Sequence, residues 1–318
     1  MHNMKKVWAL LLTGVMAVGC LAGCGGDGET QVATAGNDGS VSVSTDTESG
    51  GAGDDSGAGE GAGGADTQVM NVRTTSFGNN YDVQDMGWRW MMAACYDGLY
   101  RNVNKGDGEE FILAGAESVD ISEDQTVYTF HLRQDAKWSD GEPVTAHDYE
   151  YGWKRLLNPE YGYSYASFAY NIVGAEEYNK GTGSVDDVMA VALDDYTFQV
   201  TLKVADPTFQ AKLVATPLYP TRQDIAEAAG DQWGKDWTLC VYNGPFCMTE
   251  LVEDNKMVWT KNPYYWDADN TKLETINWYI VAEDSTAATM FDNGELDQLQ
   301  PTGDYLVKYR DEVEAGDI

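Results

Sequence analysis

Basic residues are scarce in this sequence. Among its 318 residues, 20 are Lys or Arg and 52 are Asp or Glu, which gives a formal net charge of −32. Nucleic acids are bound largely through basic side chains, and the negative field of this chain repels a phosphate backbone. The composition therefore argues against a nucleic-acid partner. It argues equally against attachment to an anionic membrane surface, unless the chain is held there covalently.

Histidine and cysteine are also scarce, with 3 His and 5 Cys. Five Cys are too few for a scaffold built from disulfides. The sequence contains neither G-x-S-x-G, nor a P-loop, nor H-E-x-x-H, which are the local patterns of common hydrolases, nucleotide-binding enzymes and metalloproteases. His131 and His147 form no zinc-ligand spacing with the cysteines. We therefore expect no catalytic residues, no metal and no cofactor, and we interpret the chain as a binding protein rather than an enzyme.

Long hydrophobic runs are missing as well. The uncharged run at residues 7–19 follows Lys5 and Lys6 and is shorter than the roughly 20 residues that span a bilayer. It is typical of a signal peptide. The Leu-Ala-Gly-Cys stretch at residues 21–24 resembles the bacterial lipobox. This resemblance implies a lipoprotein signal peptide at residues 1–24, a lipidated Cys24, and an anchor on the outer face of the cytoplasmic membrane. An ordinary secretory signal is the alternative.

A low-complexity segment follows the signal. Residues 25–66 contain 13 Gly, nine Asp or Glu, and neither Lys nor Arg. Gly-rich chains behave as flexible coils, and repulsion between like charges extends them. We expect this segment to be a flexible, acidic, Gly/Ser-rich tether.

The rest of the chain mixes strand and helix patterns. Residues 126–133 alternate in polarity as a half-buried strand does. Thr145 with Asp148 predicts a capped helix start, and Tyr149 and Trp153 open an apolar stripe along that helix. We predict strands at residues 69–76, 126–133, 188–193, 197–202, 246–250, 256–260 and 276–281. We predict helices at residues 88–99, 145–157, 208–214, 224–229 and 284–293, the last of them capped by Asp284. The fold class is therefore mixed α/β.

Five sequence segments, taken in order along the chain, form a signature that is more specific than any one of them. They are YTFHLRQDAKWSDGEPVTAHD continuing through YGWKRLLNP at residues 128–159, ALDDYTFQVTL at 192–202, YNGPF at 242–246, KNPYYW at 261–266 and FDNGELD at 291–297. Together they resemble the family 5 extracytoplasmic solute-binding proteins, which are the peptide-binding receptors of ABC importers. The resemblance covers about residues 69–318.

The resemblance implies a two-lobed fold of the periplasmic-binding-protein type II class. Residues 69–96 and 221–318 would form most of the first lobe, or domain I, and residues 97–220 an inserted α+β domain II. Members of the family are longer, so we expect the opposing lobe, domain III, to be absent and the sequence to be a fragment or a truncation. Such a chain is expected to bind ligand weakly and to expose an apolar face.

The resemblance also implies site residues. A loop at residues 84–86, with Gln84 and Met86, would contact the peptide backbone, Tyr165 would face the cleft, and a further contact would fall at Gln300 near Pro301. The implied partners are a short peptide and the permease and ATPase of an ABC importer. Because Gln84, Met86 and Pro301 differ from the residues of the best-known peptide receptor, a sugar, nickel or haem ligand stays open. A surface peptide sensor is another alternative, and a cell-surface glycoside hydrolase is a remote one.

Most of the block residues are expected to hold the fold rather than the ligand. Trp138 is predicted to anchor the core, and Gly244 to supply an unusual backbone angle before Pro245. Cys240 and Cys247 flank this turn. They are expected either to pair in an oxidising compartment or to remain two independent, partly buried thiols.

Overall fold

The computed structural model describes residues 68–78, 80–85, 93–104 and 108–315. The predicted signal peptide, Cys24, the tether and Met86 lie outside the described residues. Residues 88–92 of the helix predicted at residues 88–99 lie outside them too. Residues 93–95 are helical and residues 96–99 are not, so the helix ends at Cys95 and not at Leu99.

The first sheet has four strands in the order β1-β10-β9-β8. Its strands are β1 (Val69–Thr74), β8 (Phe246–Val252), β9 (Lys256–Lys261) and β10 (Thr275–Ile280). The neighbours β1 and β10 are parallel, whereas β8 and β9 form an antiparallel hairpin. Strands far apart in sequence therefore meet in this sheet.

The second sheet has four antiparallel strands in the order β4-β5-β7-β6. They are β4 (Ala116–Ile121), β5 (Val127–Leu132), β6 (Ala190–Asp194) and β7 (Thr197–Thr201). A separate hairpin joins β2 (Tyr100–Asn104) to β3 (Glu109–Leu113). The first sheet and the second fall on either side of the predicted domain boundaries, and the domain division itself stays a prediction.

Six further α-helices connect or cover these strands among the described residues. They are α1 (Ala146–Leu157), α2 (Ala175–Asn179), α3 (Phe209–Lys212), α4 (Gln223–Ala229), α5 (Asp284–Asp292) and α6 (Gly303–Ala315). Within the described part of the chain, none of them combines the length and apolar character needed to cross a membrane.

Helix α1 begins as the sequence predicts. Thr145 is its N-cap, and the Asp148 carboxylate accepts the backbone N–H of Thr145 at 2.8 Å. The predicted stripe is fully buried in the core, with Tyr149 and Trp153 at 0% exposure. Trp138 is equally buried, and its indole N–H donates to Asp148 at 3.3 Å. The capping carboxylate thus also joins the helix start to the core anchor.

Two further local predictions were wrong. Helix α5 has Glu283 as its N-cap, so Asp284 is its first helical residue; Asp284 points instead to Arg73, at 2.7 Å. Gly244 has no positive φ. A side chain there would meet the backbone of Cys95 and Tyr96 at 2.5 Å, so close backbone approach, not an unusual angle, requires glycine.

Candidate functional site

A buried ion pair joins the chain after β1 to helix α1. The Arg155 guanidinium donates to the two carboxylate oxygens of Asp82, at 3.1 and 2.8 Å. The two side chains are 7% and 8% exposed. Burial opposes the charge of Arg155, but the Asp82 carboxylate outweighs it, and the pKa of Arg155 is raised. The bidentate geometry fixes residues 82–84 against the end of the helix.

Gln84 belongs to the same network. It is fully buried. Its amide N–H donates to the Thr221 hydroxyl at 2.7 Å and to the Tyr219 carbonyl at 3.3 Å, and its carbonyl accepts from Arg155 at 3.0 Å. The side chain predicted to contact ligand is therefore engaged inside the protein. A ligand contact from this turn would have to use its backbone or a neighbouring side chain.

Two tyrosines that follow helix α1 surround the same arginine. The Tyr163 hydroxyl donates to Asp82 at 2.5 Å, and burial together with the Asp82 charge raises the pKa of Tyr163. The Arg155 guanidinium lies 4.7 Å from the ring centre of Tyr161 and 5.2 Å from that of Tyr163. Tyr161 is 53% exposed. The network thus extends from the buried ion pair to the surface.

Tyr165 lies two residues beyond Tyr163. It is half-buried and packs edge-on against Phe168, with ring centres 5.5 Å apart. Since Tyr163 is bonded to Asp82, the structure brings the Tyr165 segment to the Gln84 segment. Its role in ligand contact stays a prediction.

Gln300 is placed through strand β1. Asp297 accepts the backbone N–H of Asn71 at 2.6 Å, and Gln298 forms a parallel bridge with Val72. Gln300, which is exposed, follows this bridge in the direction in which β1 runs. It therefore leaves the sheet at the carboxyl end of β1, the end from which the Gln84 segment also departs. Ligands of open α/β sheets bind outside the carboxyl ends of strands.

The segment at residues 300–302 is held by a further hydrogen bond. The Thr302 hydroxyl bonds Asp284. Asp284 pairs with Arg73, whose guanidinium also donates to the carbonyls of Val281 and Ala282. Arg73 thereby forms an ion pair and two backbone hydrogen bonds within the protein.

The sequence analysis missed Asp82 and Arg155. A buried arginine in the last turn of α1 gave a weak signal, because a cation there is also what the helix dipole favours. Asp82 gave no signal in the sequence, since its partner Arg155 is 73 residues away.

A second buried carboxylate, Asp97, lies at the predicted domain boundary. The Tyr265 hydroxyl donates to it at 2.9 Å and the Trp266 indole N–H at 3.0 Å. Burial raises the pKa of Asp97, against the opposing charge of Arg101. The Arg133 guanidinium stacks on Trp266, 3.6 Å from its ring centre. This cluster joins residues of the predicted first lobe to residues of the predicted insertion.

A surface pocket of about 400 Å³ opens elsewhere, beside the β4–β5 turn, and none of the predicted site residues lines it. Its lining consists of Ile121, Ser122, Glu123, Gln125, Tyr128, Asp206, Pro207 and Gln210. The predicted ligand segments therefore do not coincide with this pocket.

The thiols and the metal-ligating side chains of the described residues form neither a disulfide nor a metal cluster. Cys240 and Cys247 are free thiols, and burial raises their pKa values to about 12 and about 11. Of the two alternatives, the structure has the independent thiols. Among the described residues, no group of three or more His, Cys, Asp or Glu side chains is placed to hold a metal ion.

Comparison with known proteins assigns the family. Residues 110–313 match the family model of the bacterial extracellular solute-binding proteins, family 5 Middle. The dipeptide-binding protein DppE of Bacillus subtilis is 38% identical over 223 residues, which are 70% of this chain and 40% of DppE.

Two solved structures share the fold. The substrate-binding domain of an oligopeptide ABC transporter from Bacillus anthracis has a TM-score of 0.73 at 36% identity, covering 77% of this chain and 48% of its own. OppA of Listeria monocytogenes bound to peptide has a TM-score of 0.68 at 29% identity, covering 72% and 46%. The chain thus spans less than half the length of each of these three proteins.

The chain belongs to the family 5 bacterial extracellular solute-binding proteins. This membership confirms the predicted family, the mixed α/β fold of this class, and a binding protein rather than an enzyme.

Proposed function

We propose that this family 5 solute-binding protein captures short peptides outside the cell and delivers them to an ABC importer. The residues described here would form one wall of the peptide site. The activity of a whole receptor is part of this proposal, since this chain spans less than half the length of the relatives named above.

One observation carries the proposal beyond family membership. The Asp82–Arg155 pair fastens the Gln84 segment to the tyrosine segment that leads to Tyr165. Gln300 leaves the sheet at the same end of β1. Two of the three segments that were predicted separately as ligand contacts are thus joined to each other, and the third leaves the sheet at the end of β1 from which the Gln84 segment departs. An extended peptide could be bound there by main-chain hydrogen bonds.

Isothermal titration tests the ligand class. We expect a mixture of di- to hexapeptides to give weak heats with this chain, while cello-oligosaccharides and Ni²⁺ give none. Weak binding is expected because this chain spans less than half the length of the peptide-binding relatives. Heat from the sugars or the metal alone would rule out the peptide assignment, and tight peptide binding would contradict the expectation of a half-site.

We further propose that the protein is a lipoprotein anchored through Cys24. The supporting observation is the lipobox-like sequence before the acidic, Gly-rich segment. Stable membrane attachment requires two or more acyl chains, which a lipidated N-terminal cysteine would carry.

Membrane fractionation of cells that express Cys24→Ala tests this anchor. The variant should move to the soluble fraction, whereas Cys20→Ala, the matched control, should stay with the membrane. Retention of Cys24→Ala in the membrane fraction would refute the anchor.

A further inference from the structure

Two Asn-Gly pairs occur in the sequence, at residues 243–244 and 293–294. In such a pair, the backbone nitrogen of the glycine can attack the side-chain amide carbon of the asparagine. Glycine favours this attack, because it has no side chain to obstruct the approach and adopts backbone angles that other residues resist. The two pairs lie in very different surroundings, so their chemical stability should differ.

The pair at residues 243–244 is buried and held rigidly. Asn243 is 5% exposed, its amide donates to the Asp97 carbonyl at 2.9 Å, and its own side-chain carbonyl accepts the Asp97 backbone N–H at 3.1 Å. The backbone N–H of Gly244 donates to the Cys95 carbonyl at 2.9 Å. Since both the amide and the glycine nitrogen are engaged in the core, a reaction between them requires local unfolding.

The pair at residues 293–294 is exposed where helix α5 ends. Asn293 is the C-cap of α5, and its side-chain amide donates to the exposed Glu295 carboxylate at 3.2 Å. Gly294 is exposed as well. Beyond its chain neighbours, no atom of the described residues lies within 4 Å of the position that a Cβ would take there. The Asn293 side chain and the Gly294 nitrogen can therefore meet without any opening of the core.

The helix end itself requires the glycine. Gly294 has a φ of 73°, and its N–H donates to the Phe291 carbonyl at 2.9 Å. The Glu295 N–H donates to the Met290 carbonyl at 2.8 Å. These two bonds form a Schellman motif, in which the left-handed residue after the helix is usually glycine. Both bonds lie in the last turn, where helices fray. The residue that ends the helix thus also creates the reactive pair.

We propose that Asn293 is a site of spontaneous deamidation. The Gly294 nitrogen forms a bond to the side-chain carbonyl carbon of Asn293, and the bond from that carbon to the amide nitrogen breaks. The proton of the Gly294 N–H passes to the departing nitrogen, so ammonia leaves and a cyclic imide remains. Water then opens the imide at either carbonyl, which yields aspartate or isoaspartate. The reaction needs no reactant besides water, and the inference does not depend on the proposed peptide function.

Deamidation weakens the start of the segment that leads to Gln300. The imide has no N–H at Gly294, so the hydrogen bond to Phe291 is lost. Isoaspartate adds one carbon to the backbone, which displaces the second bond of the Schellman motif. Either final product also adds a negative charge beside Asp292 and Glu295, at the end of a helix where the dipole disfavours anions.

Peptide mapping by mass spectrometry, after prolonged incubation of this chain in mildly alkaline buffer, tests the proposal. Asn293 should be converted at least about tenfold faster than Asn243, because the buried pair reacts only through local unfolding. Chromatography should resolve both an aspartate and an isoaspartate peptide. In urea, where both pairs are exposed to solvent, the two asparagines should react at similar rates.

Asn293→Gln is the matched variant. Its longer side chain makes ring closure unfavourable, so conversion at this position should cease while the rate at Asn243 stays unchanged. Amide hydrogen exchange at residues 294–299 should become faster in the incubated chain and stay unchanged in the incubated variant.

The rates decide the outcome. Conversion of Asn293 in the folded chain as slow as that of Asn243, with both converted in urea, would overturn the proposal. Equal and rapid conversion of both in the folded chain would overturn it as well. Unchanged hydrogen exchange in a fully converted chain would refute the structural consequence and leave the modification site standing.

Discussion

Two of the buried carboxylates among the described residues, Asp82 and Asp97, are stabilised differently. Asp82 and Asp97 are 7% and 5% exposed. Asp82 is held by a bidentate arginine. The direct donors to Asp97 are the neutral groups of Tyr265 and Trp266, and Arg101 acts on it through its charge. Hydrogen bonds from neutral groups compensate burial of a charge less completely than an opposite charge in contact does. Accordingly, the pKa of Asp97 is raised.

The way in which Asp82 and Asp97 are stabilised agrees with their positions in the fold. The Asp82 network supports segments predicted to contact ligand, so a rigid, ionic connection there fixes their positions. The Asp97 cluster lies at the predicted boundary between the first lobe and the insertion. There, stacking of Arg133 on Trp266 and neutral hydrogen bonds join residues of the two parts.

The largest expected effect on stability comes from breaking the ion pair between Asp82 and Arg155. Arg155→Met leaves Asp82 buried without its cation, and such a loss costs about 3–5 kcal/mol of unfolding free energy. Urea denaturation followed by tryptophan fluorescence measures it. Arg310→Met, at an exposed arginine on α6, is the control and should cost less than about 1 kcal/mol. A loss at Arg155 as small as the control would show that the pair does not hold these segments.

The stability contributed by Asp97 should depend on pH. Because the pKa of Asp97 is raised in the folded protein, the folded state keeps this proton to a higher pH than the unfolded state does. The stability contributed by Asp97 is therefore complete below its ordinary pKa of 3.8 and is lost as the pH rises through the folded-state value.

Asp97→Asn removes this dependence. Unfolding free energies are measured in urea from about pH 4 to 8. As the pH rises, the wild type should lose stability relative to the variant. Its size is expected to be about 1–3 kcal/mol, the cost of an altered buried hydrogen bond. Asp186→Asn provides an exposed control. A difference that moves in favour of the wild type with rising pH would contradict the raised pKa.

The smallest effect on stability is expected at Gln300. The side chain is exposed and makes no hydrogen bond that the described residues reveal. Gln300→Ala should change the unfolding free energy by less than about 0.5 kcal/mol, while weakening peptide affinity. Unchanged affinity with unchanged stability would remove Gln300 from the site.

Local patterns predicted much of the fold. The alternation in β5 placed Tyr128 and Phe130 in the core, where they are 5% and 0% exposed. The capping pair at Thr145 and Asp148 located the start of α1. Both signals arise within a few residues of the element that they define, so they can be recognised in one sequence.

Long-range contacts could not be predicted in this way. Gln84 bonds Thr221, 137 residues away, and nothing near either residue marks the other. Gly244 was recognised as special, but the reason, close approach to the backbone of Cys95, depends on tertiary packing. The ligand segments were predicted from family resemblance, and the connection between the Gln84 and Tyr165 segments through Asp82 and Arg155 became visible only in the structure.

The central claim is that three separate segments support one peptide site. Amide chemical-shift mapping of this chain titrated with Ala-Ala-Ala tests it most directly. The account predicts concerted shifts around Gln84, Tyr165 and Gln300, with one shared affinity. Shifts confined to the pocket beside Tyr128, or distinct affinities at the three segments, would contradict it.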